Sequence, residues 1–111
     1  MALAQLKKQC SYLRVCLETF SDSISKLNIE NLSVAESTAF IETLEVDIKE
    51  AKDCYFEICH LETEVNISEE YSITLAELKG KFQGKLSNWR AILLKLKTKR
   101  AQLIETATPP I

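Results

Sequence analysis

Residues 3–27 read LAQLKKQCSYLRVCLETFSDSISKL, and the apolar side chains within them fall at Leu3, Leu6, Cys10, Leu13, Leu17, Phe20, Ile24 and Leu27. The intervals alternate between three and four without a break. That spacing keeps every one of these side chains on one face of a helix and forms the seam of a coiled coil. The seam ends at Asn28, which opens a short connector through Asn31, so the first helix is expected over about residues 2–28.

The same period recurs twice. Ser33 followed by Glu36 is a capping box, in which hydroxyl and carboxylate each satisfy a backbone N–H left free at a helix start. It predicts a second helix over 34–65, with a seam through Val34, Ser37, Ile41, Leu44, Ile48, Ala51, Tyr55, Ile58, Glu62 and Val65. Asn66-Ile67-Ser68 is the next connector, with Ser68 as N-cap and Glu69 and Glu70 at the positive end of the helix dipole. A third helix over 69–104 follows, its seam running Leu75, Leu78, Phe82, Lys85, Trp89, Ile92, Leu96, Lys99 and Leu103. Lysine can lay its methylene stem over apolar neighbours and keep its ammonium in water, so Lys85 and Lys99 do not abolish the seam.

Composition agrees with long helices. The chain has 111 residues, which suits one domain with one core, and only two glycines and two prolines, too few for a turn-rich β fold. The expected fold is therefore all-α: three long amphipathic helices in an antiparallel bundle or coiled coil, with the capacity to dimerise. The helical interaction domain spans 1–104, and residues 105–111, with Thr108-Pro109-Pro110, read as the start of a linker leading into a longer polypeptide.

Short connectors make successive helices antiparallel, which sets the seams against each other in a definite order. Leu13 then faces Ile48, Leu17 faces Leu44, Tyr55 faces Leu78, and Cys10, Ala51 and Phe82 share one layer. The expected core is Leu6, Cys10, Leu13, Leu17, Phe20 and Ile24 of the first helix, and Ile41, Leu44, Ile48, Ala51, Tyr55 and Ile58 of the second. The third adds Leu75, Leu78, Phe82, Trp89, Ile92 and Leu96. Phe40, Phe56 and Leu61 lie off the seam and either widen the core or form a docking surface.

Charge is unevenly spread. Residues 1–28 carry four basic and two acidic side chains, 29–70 two against twelve, and 71–111 eight against two, giving +2, −10 and +6. Antiparallel pairing puts Glu42, Glu45, Asp47, Glu50, Asp53 and Glu57 alongside Lys79, Lys81, Lys85, Arg90, Lys95 and Lys97, so the asymmetry is expected to select helix orientation.

The two glycines, Gly80 and Gly84, lie one turn apart on a stripe that continues through Ser87, Ala91, Leu94, Thr98 and Ala101, nearly opposite the seam. Small residues on a second face let another helix approach closely, and this stripe is the candidate interface. The bland alternative is a weak point in the helix, since each glycine costs about 1 kcal/mol relative to alanine. Lys95, Lys97, Lys99 and Arg100 form a basic run that could neutralise phosphates, but it lacks aromatic interleaving, and a solvated face opposite the acidic helix is the favoured account.

Four cysteines (Cys10, Cys16, Cys54, Cys59) and His60 lack C-x-x-C or zinc-knuckle spacing; the cysteines are expected to be structural thiols, and His60 points away from its neighbour Cys59 on a helix, so no Cys/His nucleophile is expected. Asn31-Leu32-Ser33 and Asn66-Ile67-Ser68 match glycosylation acceptors, but both are also what turns and N-caps use. No catalytic residue, metal ligand, cofactor or small-molecule substrate is expected. The N-terminal segment is interrupted by Gln5, Lys7, Lys8 and Gln9, unlike a signal peptide or a span, so no membrane role and an intracellular, cytoplasmic location are expected.

The order of features resembles a known family. Leu6-Lys7-Lys8-Gln9 leading to Leu17-Glu18-Thr19-Phe20, then Leu44-Glu45, the Tyr55-Phe56-Glu57-Ile58 block and Glu69-Glu70-Tyr71 resemble the N-terminal helical segment of Gag-like polyproteins of Bel/Pao-type LTR retrotransposons, over about residues 3–85. The resemblance implies a structural protein that helps a particle self-associate in the cytoplasm, with capsid and nucleic-acid-binding segments downstream. The leading expectation is thus a non-enzymatic self-association or scaffold domain whose partner is another copy of itself. A nucleic-acid-associated module, using the basic half of helix three on RNA, is the second class, and an adaptor that docks a partner's helix is the third.

Overall fold

A computed structural model describes residues 2–107, with side chains over 2–105. Its elements are helix α1 (Ala2–Ser25), a 3-10 turn (Ile29–Asn31), helix α2 (Val34–Glu64) and helix α3 (Glu69–Ala107). The molecule is an all-α antiparallel bundle, with α1 against α2, α2 against α3 and a lesser α1–α3 contact. It is a rod of 65 × 20 × 16 Å. A helix of 39 residues is about 58 Å long, so α3 alone sets the rod's length and outreaches α1 and α2.

Local chemistry explains the helix ends. The Glu36 amide donates to Ser33 Oγ at 3.1 Å and the Ser33 amide to Glu36 Oε1 at 3.2 Å, a complete capping box. Ser68 Oγ accepts from the Tyr71 amide at 3.1 Å and caps α3 with the hydroxyl half of that motif. Both candidate glycosylation serines therefore cap helices. Helix α1 stops at Ser25 rather than near residue 28, because the Ser25 hydroxyl donates to the Asp22 carbonyl at 2.7 Å and the Leu27 amide tightens to a three-residue bond with the Ile24 carbonyl at 3.0 Å. Helix α3 runs three residues past the expected end, to Ala107, two residues short of the first proline. Residues 108–111, the rest of the expected linker, lie outside the described residues.

Of the expected core, Leu6, Cys10, Leu13, Leu17, Ile41, Leu44, Ile48, Ala51, Ile58, Leu75, Leu78, Phe82, Trp89 and Leu96 are buried. Phe20, Ile24, Tyr55 and Ile92 are only half-buried and pack against the core from its edge. Phe20 and Ile24 belong to the last turns of α1, close to its end at Ser25, and Tyr55 keeps its hydroxyl at the surface to accept from Gln83 Nε2 at 3.1 Å. Cys16, Cys54, Leu61 and Leu86 are buried as well. Leu86 takes the place expected for Lys85, which is half-buried. Both follow Phe82 on nearly the same face, and rotating the helix slightly toward the leucine spares an ammonium its desolvation. Leu61 widens the α2 seam, whereas Phe56 is 60% exposed.

The stagger between helices also differs from the simple alignment. The Tyr55 ring stacks on Phe82 with centroids 4.6 Å apart, one layer beyond Leu78, and Phe20 meets Trp89 edge-on at 5.3 Å. Helical side chains lean toward the N-terminus of their own helix. In the antiparallel α2–α3 pair the two leans are opposed, which moves the Tyr55 contact to a higher number on α3; α1 and α3 run parallel, and Phe20 on Trp89 is a contact of a different kind.

Candidate interaction surface

Helix α3 runs unbroken through Gly80 and Gly84, and neither has a positive φ. A Cβ added at either position meets nothing within 4 Å. The glycines are therefore not required by any close approach inside the bundle. Ser87, Ala91, Leu94, Thr98 and Ala101 are exposed with them, so the whole stripe looks outward, away from α1 and α2. Leu94 is 66% exposed on it, and Ile73, an N-terminal extension of the same face, is 57% exposed. This face continues from Ile73 to Ala101, about 42 Å of helix.

The basic run is divided. Lys97 Nζ lies 3.4 Å from Glu45 of α2, and Lys99 Nζ lies 3.9 Å from Glu30 of the 3-10 turn. Lys95 is exposed and Arg100 half-buried. A further cross-helix pair, Lys79 with Glu62, is three-quarters buried, and the Glu62 hydrogen bond holds the Lys79 ammonium above its ordinary range against the opposing cost of burial. Of the six α2 acids expected to face α3, Glu45 alone forms an ion pair with it among the described residues, and the other α2 partner, Glu62, came from the seam itself.

Cys10, Cys16 and Cys54 are buried and Cys59 is half-buried. Cys54 donates its S–H toward Gln9 of α1, with the backbone carbonyl at 3.3 Å and Oε1 at 3.2 Å. Burial pushes Cys54 up to about 11, with smaller contributions from Cys16, Cys10 and Glu57, and burial likewise raises Cys16. Such thiols are poor nucleophiles and metal ligands at neutral pH. His60 turns to Glu64, its Nε2 3.3 Å from Oε1, on the exposed side of α2. No group of three or more His, Cys, Asp or Glu is placed to hold a metal ion among the described residues. No helix there is long and apolar enough to cross a membrane.

The concavities are open grooves between helices. One lies where the 3-10 turn crosses α3, lined by Ile29, Glu30, Leu94, Lys95, Lys99 and Gln102. Another lies between α1 and α3, where Lys81 and Lys85 approach Glu18 and Asp22. Each mixes charges of both signs. In the α1–α3 groove carboxylates of α1 share the lining with cations of α3, and no ion pair joins the two helices among the described residues.

The fold and surface together define an elongated three-helix bundle with one long, sparsely charged outer face. Comparison with protein-family models, with curated proteins and with solved structures gives no match.

Proposed function

We infer that this chain is a non-enzymatic helical self-association or scaffold module. The observation that carries it is the outward face of α3. In a chain that is 27% charged, Ile73, Gly80, Gly84, Ser87, Ala91, Leu94, Thr98 and Ala101 of that face are uncharged, with Glu77 the one charge at their spacing, and two of them, Ile73 and Leu94, are large apolar residues more than half exposed. Leaving such a ribbon in water wastes apolar surface that a second helix can cover. The rod shape supports the same conclusion, because a core one layer deep spreads surface along its length for side-by-side contacts. The assembly role implied by the Gag-like resemblance is the specific form of this function: an N-terminal region that draws copies of a structural polyprotein together in the cytoplasm.

Light scattering on the purified chain over a concentration series tests it. A mass above that of one chain, growing with concentration and without added ligand, is the expected result; one-chain mass throughout would end the proposal. The nucleic-acid alternative is less favoured, because Lys97 and Lys99 already lie beside carboxylates. Salt-sensitive binding of single-stranded RNA, lost on replacing Lys95 and Arg100, would reinstate it.

A further inference from the structure

Resting on the self-association just inferred, we propose that the partner is a second copy of this chain, docked through α3 in an antiparallel, two-fold symmetric pair centred near Leu86.

The charges on this face carry the inference. Glu77 and Lys95 stand about five turns apart and therefore on the same edge of the helix. Both are exposed, and neither makes an ion pair among the described residues. A two-fold axis perpendicular to α3 near residue 86 brings Glu77 of one copy to Lys95 of the other, and repeats the pair at the opposite end. A parallel, in-register pair instead carries that edge of the two copies to opposite sides of the contact, so neither Glu77–Lys95 pair forms. Only the antiparallel arrangement forms the two attractive pairs, so the charges on this face select it.

The sizes agree with the same axis. To within a residue it sets Gly80 against Ala91 and Gly84 against Ser87, so the backbones come closest at the centre. There the glycines leave open space. Leu94 and Ile73 lie toward the two ends, where they are more than half exposed in the single chain and become covered in the pair. An isologous contact of this kind closes at two copies and leaves α1 and α2 free on the outside. One helix per copy is a small interface, so association is concentration-dependent and the two ion pairs weigh appreciably in it.

The test is charge exchange in the full chain, read by sedimentation. E77K and K95E each turn two attractive contacts into repulsive ones and should weaken association roughly tenfold. An equimolar mixture of E77K and K95E restores both contacts in the mixed pair and should recover the strength of the unaltered protein. Gly84→Leu, which adds bulk to open space in the single chain, should abolish association with no loss of helical circular dichroism. If the unaltered chain associates but the two exchanges leave it as tight as before, or the mixture is no stronger than its components, the antiparallel pairing is overturned while self-association stands. A chain that is monomeric at every concentration overturns both.

Discussion

Replacing Phe82 by alanine probes the bundle where its packing is most specific. Phe82 is 1% exposed, surrounded by a core that includes the small residues Cys10 and Ala51, and stacked on Tyr55. Its neighbours are held on three separate helices, so they cannot collapse freely into the space that truncation leaves. A buried Phe→Ala change costs about 3 to 5 kcal/mol under those conditions. A domain of this size holds on the order of 5 to 15 kcal/mol in total. At roughly 4 °C or more per kcal/mol, the melting midpoint should drop by at least about 12 °C. Urea titration followed by helical circular dichroism gives the free energy directly. A cycle with Tyr55→Leu and Phe82→Leu, singly and together, should return a coupling of about 0.5 to 1.5 kcal/mol for the stacked rings. A cost for Phe82→Ala below about 1 kcal/mol, or additive single changes, would refute the packing described.

Three other outcomes follow from particular residues. Ser37 is 0% exposed and its hydroxyl has no hydrogen-bond partner among the described residues, so Ser37→Ala should raise stability by about 1 kcal/mol; a loss of that size would reveal a bond to the hydroxyl. Gly84→Ala should stabilise the single chain by roughly 1 kcal/mol, since the methyl meets nothing and the helix gains propensity, and a lower melting temperature in dilute solution would contradict the open surround. Burial holds the Cys54 thiol at about 11 against an ordinary 9.0, so the folded chain keeps a proton that the unfolded chain loses. Its contribution is complete below pH 9.0 and fades as pH rises to about 11. Tyr71, which burial lifts from 10.0 to about 12, extends the decline upward. Stability measured against pH should therefore fall across this alkaline window, and Cys54→Ala should make the early part of the fall shallower.

The helices themselves were legible because their signals are local. An alternation of three and four needs only the chain's own period, and the Ser33 and Ser68 caps act within four residues. The outward stripe of α3 was legible for the same reason, as the complement of its seam. Leu86 was not: with Phe82 and Trp89 it competes with Lys85 for one inward position, and only the cost of burying an ammonium decides between them. The cysteines show the same limit. That Cys54 reaches Gln9 across 45 positions of sequence depends on the rotation of two helices about their own axes.

By itself, the sequence determined how many helices form, where they start, which face of each is apolar and that short connectors fold them back on one another. Tertiary structure alone decided the stagger and the partners: Tyr55 on Phe82, Phe20 on Trp89, Glu62 on Lys79. A heptad repeat is nearly unchanged by sliding one helix past another by a turn. The choice among such slides is made by the lean of side chains along each helix and by which large residues find small ones opposite, quantities that exist only once the helices are side by side.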